Sequence, residues 1–465
     1  MIKPNYYITS SWDDGSKHDL KMADLLAKYD IPATFYIAHK GIRGDILYPQ
    51  NIQKLSKRFE IGSHTLKHLH LTKISLKEAE KEILEGKSAL ENLIGKEVIS
   101  FCYPWGGYNA KVKQLVGLSG FSYARTTKAF ATSVLDRLAA PITIHAYDEY
   151  LPYHLFHGHR ILYRKLFYYA LRKKGLNFRW DDLAILFLDY CRKNGGAFHL
   201  YGHSWEIDKH NLWSRLERVL KYMNDNTPKA QRFTNGGLTT QADKHKEHYY
   251  GTIDPQQFET EFQTPYYIKE LRIINNIVKN YDRTDANILD AGCGTGRISG
   301  LFTKANYTGV DYSKNFIDFA GKKYRAANRK FINSNFEKDV NIYSNKYDLI
   351  VLWGFIDRQT NPLGVIATLK PMVKKGTRIV FTIHNENNPF FRVIKKIRNE
   401  YFYNPYSITA FDLTTLEPHF NKFCAANGYK YEVASLGLIN PASKYIPYVP
   451  CGKLGNTLVF IFDKL

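Results

Sequence analysis

Apolar positions follow two alternating rhythms along the first half of the chain. Short β-rich runs at Tyr6 to Ser10, Ala33 to Ile37 and Ile99 to Tyr103 read as strands. Asp19 to Tyr29 and Leu76 to Leu93 instead repeat apolar residues at the three-to-four spacing of a buried helix face. Asn211 to Asn224 closes the series, with Leu212, Leu216, Val219, Leu220 and Met223 sharing one helical face. Strands and helices taking turns in this way predict a parallel α/β domain over residues 1–225, because parallel neighbours need a crossover connection. From Asn224 to Gly237 the chain gathers Asn, Asp, Thr, Pro and Gly, and it stays polar to His248, a composition that predicts a connector over 226–248. A second alternating series starts around Tyr266. Its strands are predicted at Asn287 to Ala291, Tyr307 to Val310, Asp348 to Trp353 and Arg378 to Ile383, with a last one at Thr457 to Phe462, making a second α/β domain of residues 249–465.

Length supports this division, since 465 residues exceed one ordinary core at roughly 150 residues per domain. The formal charge of +21 is spread over both halves and changes the choice of partners. It suits nucleotide-sugars, lipid phosphates at a membrane surface or nucleic acid, although a Lys-rich surface alone would produce the same balance. The stretch from His157 to Lys174 is basic, aromatic and free of acids, and reads either as a helix for an anionic bilayer or lipid-linked phosphate, or as an ordinary helix packed through Leu162, Leu166 and Tyr169. Cys102, Cys191, Cys293, Cys424 and Cys451 are odd in number and form no Cys-x-x-Cys pair, which argues against a disulfide framework or zinc knuckle. No apolar run approaches the roughly 20 residues of a membrane span, and the first functional string follows Met1 too closely for a signal peptide, so the expectation is a cytoplasmic protein, with the inner membrane face as a surface its charge suits.

The candidate chemistry begins with Ser11-Trp12-Asp13-Asp14-Gly15 and His64-Thr65-Leu66-Lys67-His68. Two neutral imidazoles and one carboxylate hold a divalent ion, zinc being the expected one, while leaving a position open for water. His64 and His68 are four apart, so one helical turn would aim both rings the same way. Asp13, beside the ligand Asp14, is then placed to take a proton from that water.

With Phe101-Cys-Tyr-Pro-Trp-Gly-Gly-Tyr-Asn109 following in order, these strings resemble those of the polysaccharide deacetylase family, the NodB-homology carbohydrate esterases, over about residues 5 to 222. The resemblance implies a distorted (β/α) barrel in which Asp14, His64 and His68 bind the metal and Asp13 is the general base. It further implies that Pro104, Trp105 and Gly106 line a substrate groove and that the Tyr103 amide helps hold an oxyanion. Amide hydrolysis also needs an acid for the amine leaving group. His199 and His203 in Gly196-Ala-Phe-His-Leu-Tyr-Gly-His203 are the candidates, with His203 favoured by its place after Gly202 at a strand end. The family's base-orienting Arg is replaced by Cys102, and Arg125 is the candidate substitute; the usual Pro after the second histidine is Leu69; and the family's fourth Asp-Trp motif is not evident. Deformylation therefore stands beside deacetylation.

Asn287-Ile-Leu-Asp-Ala-Gly-Cys-Gly-Thr-Gly-Arg297 reads as a strand, a glycine-rich turn and a helix. Asp290 preceding the alternating Gly292, Gly294 and Gly296 favours S-adenosylmethionine over NAD. The string resembles the first motif of class I methyltransferases, over about residues 250 to 465, and implies a Rossmann-like domain. By that resemblance Asp311 meets the ribose hydroxyls, Asn335 stands at the adenine amino group and Trp353 ends the strand facing the methyl group. His384 reads as a general base or as a capping residue.

Together the halves read as a bifunctional glycan-modifying enzyme that deacylates an amino sugar, nucleotide-linked or lipid-linked, and methylates the same or a related sugar on nitrogen or oxygen. Surface polysaccharide biosynthesis, such as an O-antigen pathway, is the expected setting. The rival readings are a deacetylase fold that only presents glycans to the methyltransferase, and a basic nucleic-acid methyltransferase. No nucleic-acid module is legible beyond charge, so nucleic acid is not the expected partner.

Overall fold

The computed structural model describes residues 6–40, 46–132, 136–148, 179–239, 253–261, 263, 265–336, 339, 345–356, 359, 361–385, 410–411, 413–435 and 457–465. Two compact units divide the chain near residue 242. The basic stretch 157–174 and Cys451 lie outside the described residues.

In the first unit the elements run β1 (Tyr6–Asp13), α1 (Asp19–Lys28), β2 (Thr34–Ile37), α2 (Pro49–Ser56), β3 (Glu60–Ser63), α3 (Leu76–Ile94), β4 (Ser100–Cys102), α4 (Ala110–Leu118), β5 (Tyr123–Arg125), β6 (Ile144–His145), α5 (Trp180–Asn194), β7 (Gly196–Gly202), α6 (Ser204–Lys209) and α7 (Trp213–Asn226). The seven strands form one sheet in the order β5-β4-β3-β2-β1-β7-β6, every pairing parallel. That is the cyclic order of a (β/α) barrel opened between β5 and β6, where a single bridge from Arg125 to Ala140 narrows the gap. In such a fold the functional groups gather at the carboxyl ends of the strands.

The helices form because their apolar residues recur on one face. In α7, Leu216, Val219, Leu220 and Met223 are buried, each contributing about 1.5–3 kcal/mol on leaving water. Ser75 caps α3 by accepting from the Glu78 amide at 3.2 Å, and left-handed Gly95 ends it. Gly86 lets α3 lie against the His64–His68 segment, since a Cβ there would stand 2.6 Å from the Thr65 carbonyl carbon.

The stretch expected as a connector is in part docked on this unit. Asn235 accepts from Thr9 Oγ1 at 2.8 Å and donates to Tyr36 Oη at 2.9 Å, and the Gly236 amide donates to Glu60 Oε2 at 2.9 Å. Its polar composition thus satisfies inward-facing polar groups of the sheet as well as turning the chain. Residues 240–248 lie outside the described residues.

The second unit runs α8 (Pro255–Glu261), α9 (Pro265–Val278), β8 (Asn287–Ala291), β9 (Asn306–Asp311), α10 (Lys314–Lys323), β10 (Arg329–Asn333), β11 (Tyr347–Leu352), α11 (Pro362–Thr368), β12 (Val373–Asn385), β13 (Ala410–Phe411), α12 (Leu413–Asn427), β14 (Tyr429–Ser435) and β15 (Thr457–Lys464). Its sheet has the order β10-β9-β8-β11-β12-β15-β14, with β13 beside β12. Pairing is parallel up to β12 and antiparallel on both sides of β15. Strand order reverses direction between β8 and β11, the switch point at which open α/β sheets bind ligands. The helix expected after the glycine turn is a 3₁₀ stretch, Arg297–Leu301.

Candidate active sites

Alternate residues of β1 build the interior of the first unit in layers. Thr9 meets Asn235, Ser11 Oγ lies 2.8 Å from His199 Nε2, and Asp13 reaches the carboxyl end of the sheet beside Arg125. The period of two along a strand puts all three on one face. His199 is therefore held one layer below Asp13, and burial pushes its imidazole down to about 3, leaving it neutral. His203, following β7, opens on the site instead, with its Nε2 3.9 Å from Asp14 Oδ2.

Asp14, His64 and His68 converge. The two Nε2 atoms stand 3.0 Å apart, and Asp14 Oδ1 is 3.8 Å from that of His64 and 3.5 Å from that of His68. Two ligands of a tetrahedral ion, each at about 2.0–2.1 Å, stand about 3.3 Å apart, so every edge of this triangle is close to the required length. Asp14 Oδ1 is buried without a hydrogen-bond partner, while its Oδ2 accepts from the Trp205 indole at 2.9 Å. His64 Nδ1 lies 2.8 Å from the Cys102 carbonyl; donation there fixes the tautomer that leaves Nε2 bare, the usual support of a metal-ligating histidine. Burial, then the neighbouring His64, pushes His68 down to about 4, and burial also lowers His64, so both rings are in the ligating neutral form. The donor set fits a divalent ion.

The convergence does not come from a helical turn. Thr65 and His68 adopt left-handed φ values of 69° and 59°, and the bend is pinned by Glu82, which takes the Lys67 amide at 2.8 Å on a side-chain oxygen and the Leu66 amide at 3.0 Å on its carbonyl. Thr65 Oγ1 accepts the His68 amide at 2.9 Å. Tertiary contacts with α3 override the helical option open to a four-residue spacing.

Asp13 is buried and paired. Burial pushes its carboxyl up, but the Arg125 guanidinium, with His64 and His203, outweighs that and holds it well below the usual carboxylate range. Arg125 is wholly buried and lies 4.2 Å from the Tyr201 ring centroid. Cys102 and Arg125 are register partners on β4 and β5, so the guanidinium enters the space beside the short thiol, with Nη2 2.8 Å from Sγ. A long cation on one strand thus occupies the slot a small residue leaves on its neighbour.

The Pro-Trp-Gly segment divides. Tyr103 is in the core, its hydroxyl donating to the Leu138 carbonyl at 2.7 Å. Its amide, expected at an oxyanion, donates instead to the Arg125 carbonyl at 3.1 Å and belongs to the sheet ladder. Pro104 is buried, whereas Trp105 is 70% exposed and meets the His68 ring edge to face at 5.5 Å, which leaves it as the open aromatic wall.

Several residues around this site, Trp205 and Glu82 among them, were not singled out from sequence, and two more stand beside His203. Glu206 Oε2 lies 2.6 Å from His203 Nδ1 and 3.0 Å from His145 Nε2. The His-x-x-Glu spacing at a helix start was a readable signal for the first contact. His145 sits in a two-residue strand and had none.

In the second unit Gly292, Gly294 and Gly296 have φ values of 76°, 55° and 80°, and a Cβ on Gly292 would lie 2.6 Å from Phe355. Asp311 Oδ2 accepts from the Gly294 amide at 3.0 Å, joining the ends of β8 and β9. Asn335 and Trp353 follow β10 and β11 at the same edge. Asp290 is different: it is buried beneath the turn, accepts from the Tyr307 hydroxyl at 2.5 Å and is pushed up to about 7 by burial. Two acids from the preceding helices, unforeseen in the sequence, brace the turn. Glu270 takes the Trp353 indole at 3.0 Å and Arg297 at 3.0 Å, and Glu259 takes Thr295 and Lys323. His384 lies near the end of β12, between Ala410 and Thr457.

Comparison with known proteins divides along the same line. Residues 3–124 match the family model described as polysaccharide deacetylase, and residues 282–428 match a methyltransferase domain. The peptidoglycan-N-acetylmuramic acid deacetylase PdaC of Bacillus subtilis is 29% identical over 116 residues, 24% of this chain and 24% of that protein. Ribosomal RNA small subunit methyltransferase A of Mesomycoplasma hyopneumoniae strain J is 27% identical over 199 residues, 42% of this chain and 66% of that protein. A ubiquinone biosynthesis O-methyltransferase of Coxiella burnetii strain Dugway 5J108-111 is 28% identical over 131 residues, 26% of this chain and 55% of that protein. The matches thus span between about a quarter and two thirds of those relatives. The chain joins a polysaccharide deacetylase domain to a methyltransferase domain. Among the described residues, no helix is long and apolar enough to cross a membrane.

Proposed function

We propose that the chain is a bifunctional glycan-modifying enzyme. The first unit removes an N-acetyl or N-formyl group from an amino sugar with the help of a divalent ion, zinc by preference, and the second methylates the same or a related sugar from S-adenosylmethionine. The observation that carries the proposal is the Asp14, His64, His68 triangle set beside the Asp13–Arg125 pair. Such an ion would polarise the acyl oxygen and make its water acidic. Asp13, kept anionic by Arg125, takes the water's proton as the oxygen adds to the acyl carbon. As the carbon–nitrogen bond breaks, His203 delivers a proton to the departing amine, so charge and protons balance. Exposed Trp105 offers an apolar face to a sugar ring.

For the second unit, the switch point, the glycine turn and Asp311 form a cofactor cradle in the manner of nucleotide-binding sheets. A nucleotide-linked or lipid-linked saccharide suits the positive charge of the chain, and surface polysaccharide biosynthesis in the cytoplasm, at the inner membrane face for a lipid-linked sugar, is the setting we assign. Joining the catalysts would raise the local concentration of a deacylated amine for N-methylation.

The test incubates the metal-loaded protein, with and without S-adenosylmethionine, with nucleotide-linked and lipid-linked N-acyl amino sugars, reading product masses. We expect acyl loss that disappears in Asp14→Asn together with the bound metal, then methyl gain on the deacylated product. Metal binding without acyl loss from any sugar would favour a glycan-presenting role. One observation favours a second reading for the methyl acceptor, the ribosomal RNA methyltransferase relative combined with the net charge of +21. It predicts methylation of RNA with binding that weakens steeply with salt.

A further inference from the structure

We infer that His145 and Glu206 form a positioning pair that holds His203 toward the departing amine, a role that rests on the deacylase reading above. One carboxylate oxygen, Glu206 Oε2, lies 2.6 Å from His203 Nδ1 and 3.0 Å from His145 Nε2. Both are hydrogen-bond lengths to a single acceptor. Because both imidazoles meet on one oxygen at hydrogen-bond length, the cluster works as a shared-acceptor network.

Each imidazole brings a different function to it. His145 is fixed from behind, its ring stacked on Tyr201 at 4.6 Å and 27°, its register partner across β6 and β7. The same Tyr201 ring carries the Arg125 guanidinium at 4.2 Å. Glu206, by contrast, stands in the first turn of the six-residue α6, where a carboxylate with one partner would exchange between that partner and water. The bond from His145 removes this freedom and commits Oε2 to the His203 edge. With Nδ1 donating there, His203 turns Nε2 toward the site, 3.9 Å from Asp14 Oδ2 and 3.4 Å from the Tyr201 hydroxyl. A chain of contacts then links the base to the acid: Asp13, Arg125, Tyr201, His145, Glu206 and His203.

The test compares the metal-loaded full chain with His145→Phe, which keeps a ring against Tyr201 but removes the donor, His145→Gln, which restores a donor, and Glu206→Gln. Two substrates are used, an N-acetyl amino sugar and 4-nitrophenyl acetate, whose leaving group departs without a proton. For the amide, kcat should fall about tenfold or more in His145→Phe and Glu206→Gln with KM within about twofold, and His145→Gln should recover most of it. Ester hydrolysis and bound metal should change by less than about twofold in all three. Independently of turnover, ¹⁵N-histidine spectra should show protons on His145 Nε2 and His203 Nδ1 that shift together in Glu206→Gln. Equal losses on amide and ester, an unchanged amide rate, or a proton-free His145 Nε2 would each overturn the positioning role. A wild-type protein inert to both substrates would remove the deacylase reading, and the role with it, whatever the spectra show.

Discussion

The two units build their candidate sites in opposite ways. The first builds its site from side chains, with Asp13, Asp14, His64, His68, Arg125, His203 and Glu206 meeting through a dense set of polar contacts. The second builds its cradle from backbone, with three left-handed glycines at the turn and charged side chains such as Glu270 and Glu259 bracing it from behind. A side-chain site is vulnerable to the loss of one polar partner, because the other is left buried and unsatisfied. A backbone site is vulnerable to added volume, since its function is the closeness of the approach.

The largest effect is expected from Arg125→Met. It leaves Asp13 as an unpaired buried carboxylate and should cost the first unit about 3–5 kcal/mol in thermal or urea unfolding of the full chain, with hydrolysis abolished. A loss below about 1 kcal/mol would mean that the pair is not the element holding the site.

Next in size is Asp290→Asn in the second unit, where a buried carboxylate sits under the glycine turn. Asp290 is raised from 3.8 to about 7, so the unfolded state releases its proton first. Its stabilising contribution is whole below about pH 4 and is lost as pH rises through about 7, by roughly 3–5 kcal/mol. The Asn variant should flatten that decline in unfolding measured between pH 4 and 8, and an unchanged slope would exclude Asp290 as its source.

Gly292→Ala tests the backbone side directly. With φ at 76° and the Cβ 2.6 Å from Phe355, the strain of about 1–3 kcal/mol should appear as weaker S-adenosylmethionine binding by calorimetry, while first-unit hydrolysis is untouched. Binding as tight as in the parent chain would show that the turn is not the cradle. Ser75→Ala is the smallest change, a lost cap on the helix that backs the His64–His68 bend, and should lower first-unit stability by about 1 kcal/mol without altering metal content.

Legibility in the sequence followed the range of the interactions. The strands and long helices were readable because burial of one face writes a period of 2 or 3.6 into the chain, as in Leu216, Val219, Leu220 and Met223. The convergence of Asp14, His64 and His68 was foreseeable because such donors are few and chemically distinctive. Of the pair His199 and His203, the one at the strand end has its ring beside Asp14, whereas His199 lies against Ser11 inside the sheet. The docking of 227–239 was not readable, because a turn-rich segment and a segment satisfying Thr9, Tyr36 and Glu60 have the same composition. Nor was the use made of the Tyr103 amide, since a ladder rung depends on the neighbouring strand.

Residue type and period alone specify two α/β units, a donor set of two histidines and paired aspartates, and a glycine turn flanked by acids. How these groups act on one another was set by the packing of distant segments. That packing bent His64 and His68 together without a helix, brought Arg125 into the slot beside Cys102, and placed His145 and His203 on one oxygen of Glu206. The reason is that residue type and local period are properties of the chain, whereas register, burial and shared hydrogen-bond partners exist only once distant segments pack.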